Sequence, residues 1–223
     1  MILKLPDVET LFEFDNTQYI NALVIENPGF FYNVLSDIEA QIQGNEGKAV
    51  LSDNDKVLSI EKNLEYFVDY VSFSINQKTL INKVNSKLIE IALDEENYIK
   101  SKEIISDIEN YLTRIGLGLT GDIGFNKLSI ENLVKSSGTE FSEEYDSLSE
   151  KLLDYFELVR EYDKDKLFVL VNLRSYISAE ELNRFVHEIM VRGFKALLID
   201  SKDHPLLERE KRVLIDESLC EIC

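Results

Sequence analysis

The side chains that chemistry would need are sparse and scattered in this sequence. Histidine occurs only at His187 and His204, without metal-ligand spacing or a nucleophile beside either, so covalent catalysis by a base–nucleophile pair has no visible starting point. Cys220-Glu-Ile-Cys223 has the spacing of a zinc half-site or a redox motif. Zinc needs four ligands and no second pair exists. A redox CxxC opens a helix after a strand, whereas this one ends the sequence. It reads as two incidental thiols.

Phosphate chemistry fares no better. A phosphate-cradling loop needs several glycines followed by Lys and Ser or Thr, directly after a strand. After the first strong strand this chain has Glu26-Asn-Pro-Gly29, with no Gly-Lys-Ser/Thr following. Leu167–Val171 resembles the hydrophobic strand of a nucleoside triphosphatase but runs into Asn172, where a magnesium-binding Asp would stand. The expectation is no ATP hydrolysis and no bound nucleotide. A glycine-rich stretch, Gly116 to Gly124, carries Asp122 and is followed by Glu131. These two are the candidate cation ligands, although the alternating acids of a calcium loop are missing and a linker is the default reading. A nuclease built on Asp122, Glu131 or Asp200 would need carboxylates converging on metal ions about 3.5–4 Å apart, and no acidic motif predicts that. Ile123–Glu140 has the rhythm of a helix-turn-helix, with only Lys127 and Lys135 as basic groups.

What remains is lysine. Lys78, Lys83, Lys87, Lys100 and Lys102 fall on polar faces of two predicted helices. A solvated face paired with acids is the ordinary explanation; a basic lining gathered across subunits is the functional one.

The element that orders the rest is Lys166–Asp200. Leu167-Phe-Val-Leu-Val171 is too short and too β-branched for a helix and reads as a strand buried on both faces. Ser178 and Glu181 form a capping box, and Leu182, Phe185, Val186, Ile189 and Met190 mark one helical face. Gly193 stops that helix, and Ala196–Ile199 is a second apolar strand. This is a βαβ unit in an α/β sheet. Upstream, Met1–Leu5 and Leu11–Phe14 make a short ribbon, and Asn21–Glu26 a strand. Asn27 caps, and Pro28 opens, a helix ending at Gly44. Short strands follow at Ala49–Leu51 and Val57–Ile60, then one within Leu64–Val71 and a turn near Asn76. Helices are predicted from Lys78, over Ile99–Leu112, Ser129–Val134 and Leu148–Arg160, and a last strand over Arg212–Asp216. The expected architecture is an α/β domain from residues 1–74 and 164–223 with a helical block, 75–163, spliced into it.

Composition sets the outer bounds. A 44% hydrophobic content supports a real core, which argues against a disordered chain. With 24 basic against 42 acidic residues, net −18, the molecule repels nucleic acid on average. Affinity follows charge distribution, however, and a local basic surface stays open. No apolar run reaches the roughly 20 residues of a membrane span, and the first residues lack a signal peptide's apolar region. The expectation is a soluble cytoplasmic protein.

Several stretches together resemble one family. They are Val24-Ile-Glu-Asn-Pro28 with Phe31 and Leu35, Gly44-Asn-Glu-Gly47 with Val50-Leu-Ser52, Lys62-Asn63, Leu170-Val-Asn-Leu173, and Ile215-Asp-Glu-Ser-Leu-Cys-Glu221. In order and spacing they resemble the small CRISPR-associated adaptation protein of type II-A loci, the Csn-two family. The likeness is carried by both ends of the chain and is weaker across 75–163. It implies an α/β head, related to nucleotide-binding folds without the phosphate loop, and an inserted helical leg. It also implies a non-enzymatic homotetrameric ring that binds ends of double-stranded DNA through a lysine-lined hole. Such a ring assists spacer acquisition beside the locus's integrase pair and effector nuclease, with no membrane involved. Structural calcium ions hold the leg in characterised relatives, and Asp122 and Glu131 are the acids available here. By position, the DNA-binding candidates are Lys56, Lys62, Lys78, Lys83 and Lys87. The rival reading is an inactive nucleotide-binding-fold module that only docks protein partners.

Overall fold

The computed structural model describes residues 1–15, 18–121 and 123–222. The chain forms two compact units, Met1–Phe73 with Glu144–Cys223, and Ser74–Glu143.

The first unit contains ten strands, β1 (Ile2–Lys4), β2 (Leu11–Glu13), β3 (Ile20–Ile25), β4 (Val50–Asp53), β5 (Lys56–Leu58), β6 (Leu64–Phe67), β7 (Leu167–Val171), β8 (Lys195–Asp200), β9 (Glu210–Ile215) and β10 (Glu221–Ile222). Its helices are α1 (Pro28–Ile42), the single turn α2 (Ile60–Asn63), α6 (Leu148–Tyr162) and α7 (Ala179–Arg192). The second unit holds α3 (Lys78–Ala92), α4 (Tyr98–Gly116) and α5 (Ile130–Ser136).

Six strands form the main sheet in the order β10-β9-β3-β8-β7-β6. The neighbours from β9 to β6 are parallel, and β10 adds an antiparallel edge. Every residue of β3 and β7 is buried, as a parallel sheet covered on both faces requires. Alternate residues go to opposite faces. Leu23, Ile25, Leu167, Val169, Leu197 and Ile199 join Val34 and Ile38 of α1 in one core with Leu3, Phe12 and Leu51 of a second sheet. On the other face Phe168 stacks on Phe156 of α6, centroids 3.7 Å apart and planes 13° off parallel; Phe185 of α7 lies 6.1 Å from Phe156. Helix α6, expected with the helical block, therefore packs inside the first unit. Its amphipathic pattern is the same for either placement; only the ring stacking distinguishes them.

The second sheet, β2-β1-β4-β5, is antiparallel. Its β4–β5 hairpin turns on Asn54 and Asp55, both at positive φ (47° and 63°), the handedness a two-residue hairpin wants and residue types that tolerate it. Polarity alone suggests a turn beginning at Ser52, but Ser52 and Asp53 pair in the ladder.

Local signals mostly hold. Asn27 Oδ1 accepts the Phe30 amide (3.0 Å) with Pro28 as first helical residue. Beyond α1, Asp37 accepts the amides of Lys48 (2.6 Å) and Ala49 (2.8 Å), and Gln41 donates to Asp37 (2.9 Å) and to the Ala49 carbonyl (3.1 Å). A Cβ on Gly47 would lie 2.5 Å from the Gln41 side chain, so a larger residue there would have to displace Gln41 from these bonds. Gly193 ends α7 at φ 70°. The capping box is half made: Ser178 Oγ accepts the Glu181 amide (3.2 Å), but Glu181 Oε1 accepts from Ser149 of α6 (2.7 Å) rather than returning to the cap. Within Ile123–Glu140 the described residues hold α5 alone as a helix, so no second helix completes a helix-turn-helix. Strand β10 has no periodicity to announce it. Its Glu221 staples the end of the sheet to the ribbon by accepting the amides of Glu9 (2.6 Å) and Thr10 (2.8 Å) and the Thr10 hydroxyl.

Two measurements test this architecture. Phe156→Ala empties the stack and is expected to cost about 3–5 kcal/mol in urea unfolding, while Tyr32→Ala, 70% exposed, stays within about 0.5 kcal/mol. Burial pushes the Glu221 carboxyl up, but the Thr10 hydroxyl and the two amides outweigh it and hold it below its ordinary 4.5. Its contribution is therefore full above that value and is lost as pH falls through the lower folded value. Glu221→Gln is expected to lose about 1 kcal/mol at neutral pH, after allowance for solvent screening, and to converge on the parent protein in acid.

Candidate nucleic-acid interface

In the first unit, Lys56 opens β5 on the far side of the hairpin turn and Lys62 lies in the turn α2; both are exposed. In the second unit, Lys78, Lys83 and Lys87 are exposed on α3. At 100° per residue Lys83 and Lys87 share one face a turn apart, and Lys78 is turned about 140° from Lys83. The buried stripe of α3, Leu80 and Val84, is separate from them. Lys87 pairs with Glu90 at 2.9 Å in an exposed i,i+3 bridge, an interaction worth little to stability. Lys78 is the first helical residue, and no acid stands in that first turn. A cation there opposes the helix dipole, an arrangement that folding alone does not favour. Lys100 pairs with Glu103 (3.3 Å) and Lys102 lies over the Tyr98 ring (4.4 Å), both on α4.

At the place where such folds hold a nucleotide, several groups bond within the chain. In an open α/β sheet ligands bind beyond the carboxyl ends of the strands, where the strand order reverses. Here that reversal is at β3, flanked by β8 and β9. At the end of β3 the Asn27 carboxamide takes the α1 amide that an anion would use, and Pro28 has no amide to give. The chain's Gly47-Lys48 pair lies at the opposite end of α1, its lysine amide held by Asp37. At the end of β7, Asn172 adopts a left-handed φ of 52°, and its Oδ1 accepts the Ser201 amide (2.8 Å) and hydroxyl (3.0 Å).

Next to it runs an ion-pair chain that sequence reasoning missed. Arg174 Nε binds Asp200 (2.8 Å), Arg174 Nη2 binds Glu210 (2.8 Å), Glu210 also binds Arg212 Nε (2.8 Å), and Arg212 pairs with Asp203. The Arg174, Asp200 and Glu210 side chains are 6%, 1% and 0% exposed. Burial pushes Asp200 above its ordinary value against the pull of Arg174. Glu210 feels the same burial but is held below its ordinary value by Arg212, the Leu207 amide and Arg174. No spacing pattern links residues 174, 200, 210 and 212, so only the fold brings them together. Asp200, a metal-nuclease candidate, is committed to Arg174.

Glu131 sits in the first turn of α5, its carboxyl held low by its own backbone amide and the Ser129 hydroxyl; it serves that helix start. Asp122 lies outside the described residues. Among the described residues no three His, Cys, Asp or Glu side chains converge as a metal site would need.

The family model described as CRISPR-associated protein (Cas_Csn2) matches residues 41–219. The chain belongs to this CRISPR-associated Csn2 family. The match spans the lysines of both units, the α/β sheet from β4 to β9 and the Arg174 ion-pair chain. No curated protein matches. Among solved structures, the crystal structure of Stu0660 of Streptococcus thermophilus aligns with a TM-score of 0.55 at 14% identity, over 92% of this chain and 70% of that one. At this identity the likeness concerns the fold. No helix among the described residues is long and apolar enough to cross a membrane.

Candidate surface and buried network respond differently to mutation. Arg174→Ala leaves buried Asp200 without its one donor and takes one of three from Glu210, and is expected to cost about 3–5 kcal/mol by denaturant unfolding. Lys62→Ala, exposed on its single helical turn, is expected to change stability by less than about 0.5 kcal/mol.

Proposed function

We propose that this Csn2-family protein binds ends of double-stranded DNA without sequence preference and without chemistry on the DNA, as a homotetrameric ring that supports CRISPR spacer acquisition. The observation that carries the reading is the family match over 41–219, which includes every lysine proposed to contact DNA. Exposure of Lys56, Lys62, Lys78, Lys83 and Lys87 supports it, as does the placement of Lys78 against the dipole of α3. A net charge of −18 requires those cations to face the duplex together while the acids face away, which a ring lined from within achieves. Counterion release from the phosphates then supplies an affinity blind to sequence. The helical unit also exposes Leu88, Ile91, Ile99, Ile104 and Tyr111, apolar side chains available for self-association. In this reading the cytoplasmic partners are the integrase pair and the effector nuclease of the locus.

Size-exclusion chromatography with light scattering, followed by binding to linear and closed circular duplex of equal sequence, tests the reading. The expected result is a mass of four subunits and preference for free ends, weakening steeply with salt. A Lys83→Glu/Lys87→Glu double variant is expected to keep the parent's stability and to lower the log–log salt slope by about 0.9 for each phosphate that is no longer neutralised. A monomer indifferent to DNA at low salt overturns the ring in favour of a protein-docking module. Cleavage with magnesium or manganese would identify a nuclease instead.

A further inference from the structure

The segment Ser201–Arg209 straps β8 to β9. Its bonds to the body of the first unit run through polar and charged side chains, apart from the Arg209 carbonyl, which accepts the Ile20 amide (2.9 Å). Ser201 is held by Asn172. The Pro205 carbonyl accepts Arg174 Nη1 (3.5 Å) and the His204 carbonyl accepts Arg212 Nη1 (2.6 Å). Asp203 pairs with Arg212, and the Leu207 amide donates to Glu210 Oε2 (3.0 Å). Leu207 is the strap's one buried apolar side chain.

Two buried carboxylates share Arg174, and they are unequally supplied. Glu210 receives three N–H groups, from Arg174 Nη2, Arg212 Nε and the Leu207 amide. Asp200 receives one, Arg174 Nε on Oδ2. Its Oδ1 is buried without a hydrogen-bond partner, in a residue 1% exposed. The chain Asp200, Arg174, Glu210, Arg212, Asp203 carries three acids against two guanidinium groups. When two acids compete for one cation, the better-supplied one stays ionised and the other takes the proton.

We propose that Asp200 Oδ1 is a proton-binding site, and that the strap 201–209 closes more tightly as that proton is taken up. Burial drives Asp200 upward, Arg174 and His204 oppose it, and Glu210 adds to it. From the segment after β6, Tyr70 also faces Asp200; burial and the Asp200 charge push its phenol far above its ordinary range, so it stays neutral. With the strap open, Asp200 meets water and returns to an ordinary carboxylate value near 3.9. The closed form therefore binds the proton more tightly, closure strengthens as pH falls, and it weakens as pH rises through the closed-form value. Glu210 works the other way, favouring closure above its ordinary 4.5, so the Asp200 effect is read above that value.

The test is hydrogen exchange of the Ser201 and Leu207 amides in the full chain between about pH 5 and pH 7.5, each rate divided by its intrinsic rate. Protection is expected to rise as pH falls toward the closed-form value of Asp200, each pKa unit between closed and open forms contributing up to ~10-fold. Asp200→Asn, permanently neutral, should keep high protection at both pH values, and His204→Gln should keep the parent's dependence. Protection that ignores pH in the parent overturns the proposal, as does a dependence that survives in Asp200→Asn or disappears in His204→Gln. If Asp200→Asn does not fold, the 13C chemical shift of the Asp200 carboxyl in the parent decides directly. Titration above the ordinary carboxylate value supports the site, and titration at or below it overturns the site.

Discussion

Burial of the central strands on both faces is the constraint on which the rest of this structure depends. A parallel strand covered above and below can satisfy its backbone only through its neighbours, which fixes β9, β3, β8 and β7 side by side. It also demands apolar cover on each side. One side receives α1 and the small antiparallel sheet; the other receives α6 and α7 through the Phe156–Phe168 stack. The unit is a three-layered α/β body, and the order of its strands places a crevice position at β3.

That position usually serves a phosphate. Here the Asn27 side chain takes the Phe30 amide, Pro28 has no amide to offer, and Asn172 is spent on Ser201. Arg174 and Arg212, the cations nearest in chemistry to a phosphate clamp, are neutralised by Asp200, Glu210 and Asp203. Desolvating so many charges is tolerable only when each guanidinium has carboxylates on its fork. The carboxyl end of this parallel sheet thus carries buried ion pairs.

The lysines of β5, α2 and α3 are exposed on the surface. In a strongly acidic chain their value rests on arrangement rather than number. Lys83 and Lys87 are arranged by helical spacing alone; bringing them together with Lys56, Lys62 and Lys78 is the task of the proposed assembly.

Most of the elements, and the pairing of β7 with β8 and of β1 with β2, are legible in the sequence. Apolar runs at β3, β7 and β8 are unambiguous because two-sided burial leaves almost no polar residue in them. Caps at Asn27 and Ser178 and the stop at Gly193 are local events that need only near neighbours. Such signals establish the α/β class and point to the family. Tertiary structure alone decided the rest, because it depends on partners distant in sequence. It assigned α6 to the α/β unit through a stack on Phe168, diverted Glu181 from its own cap to Ser149, and created β10 by pairing two residues without periodicity. It likewise joined Arg174 to acids 26 and 36 residues away, turning Asp200 from a candidate metal ligand into half of a buried ion pair.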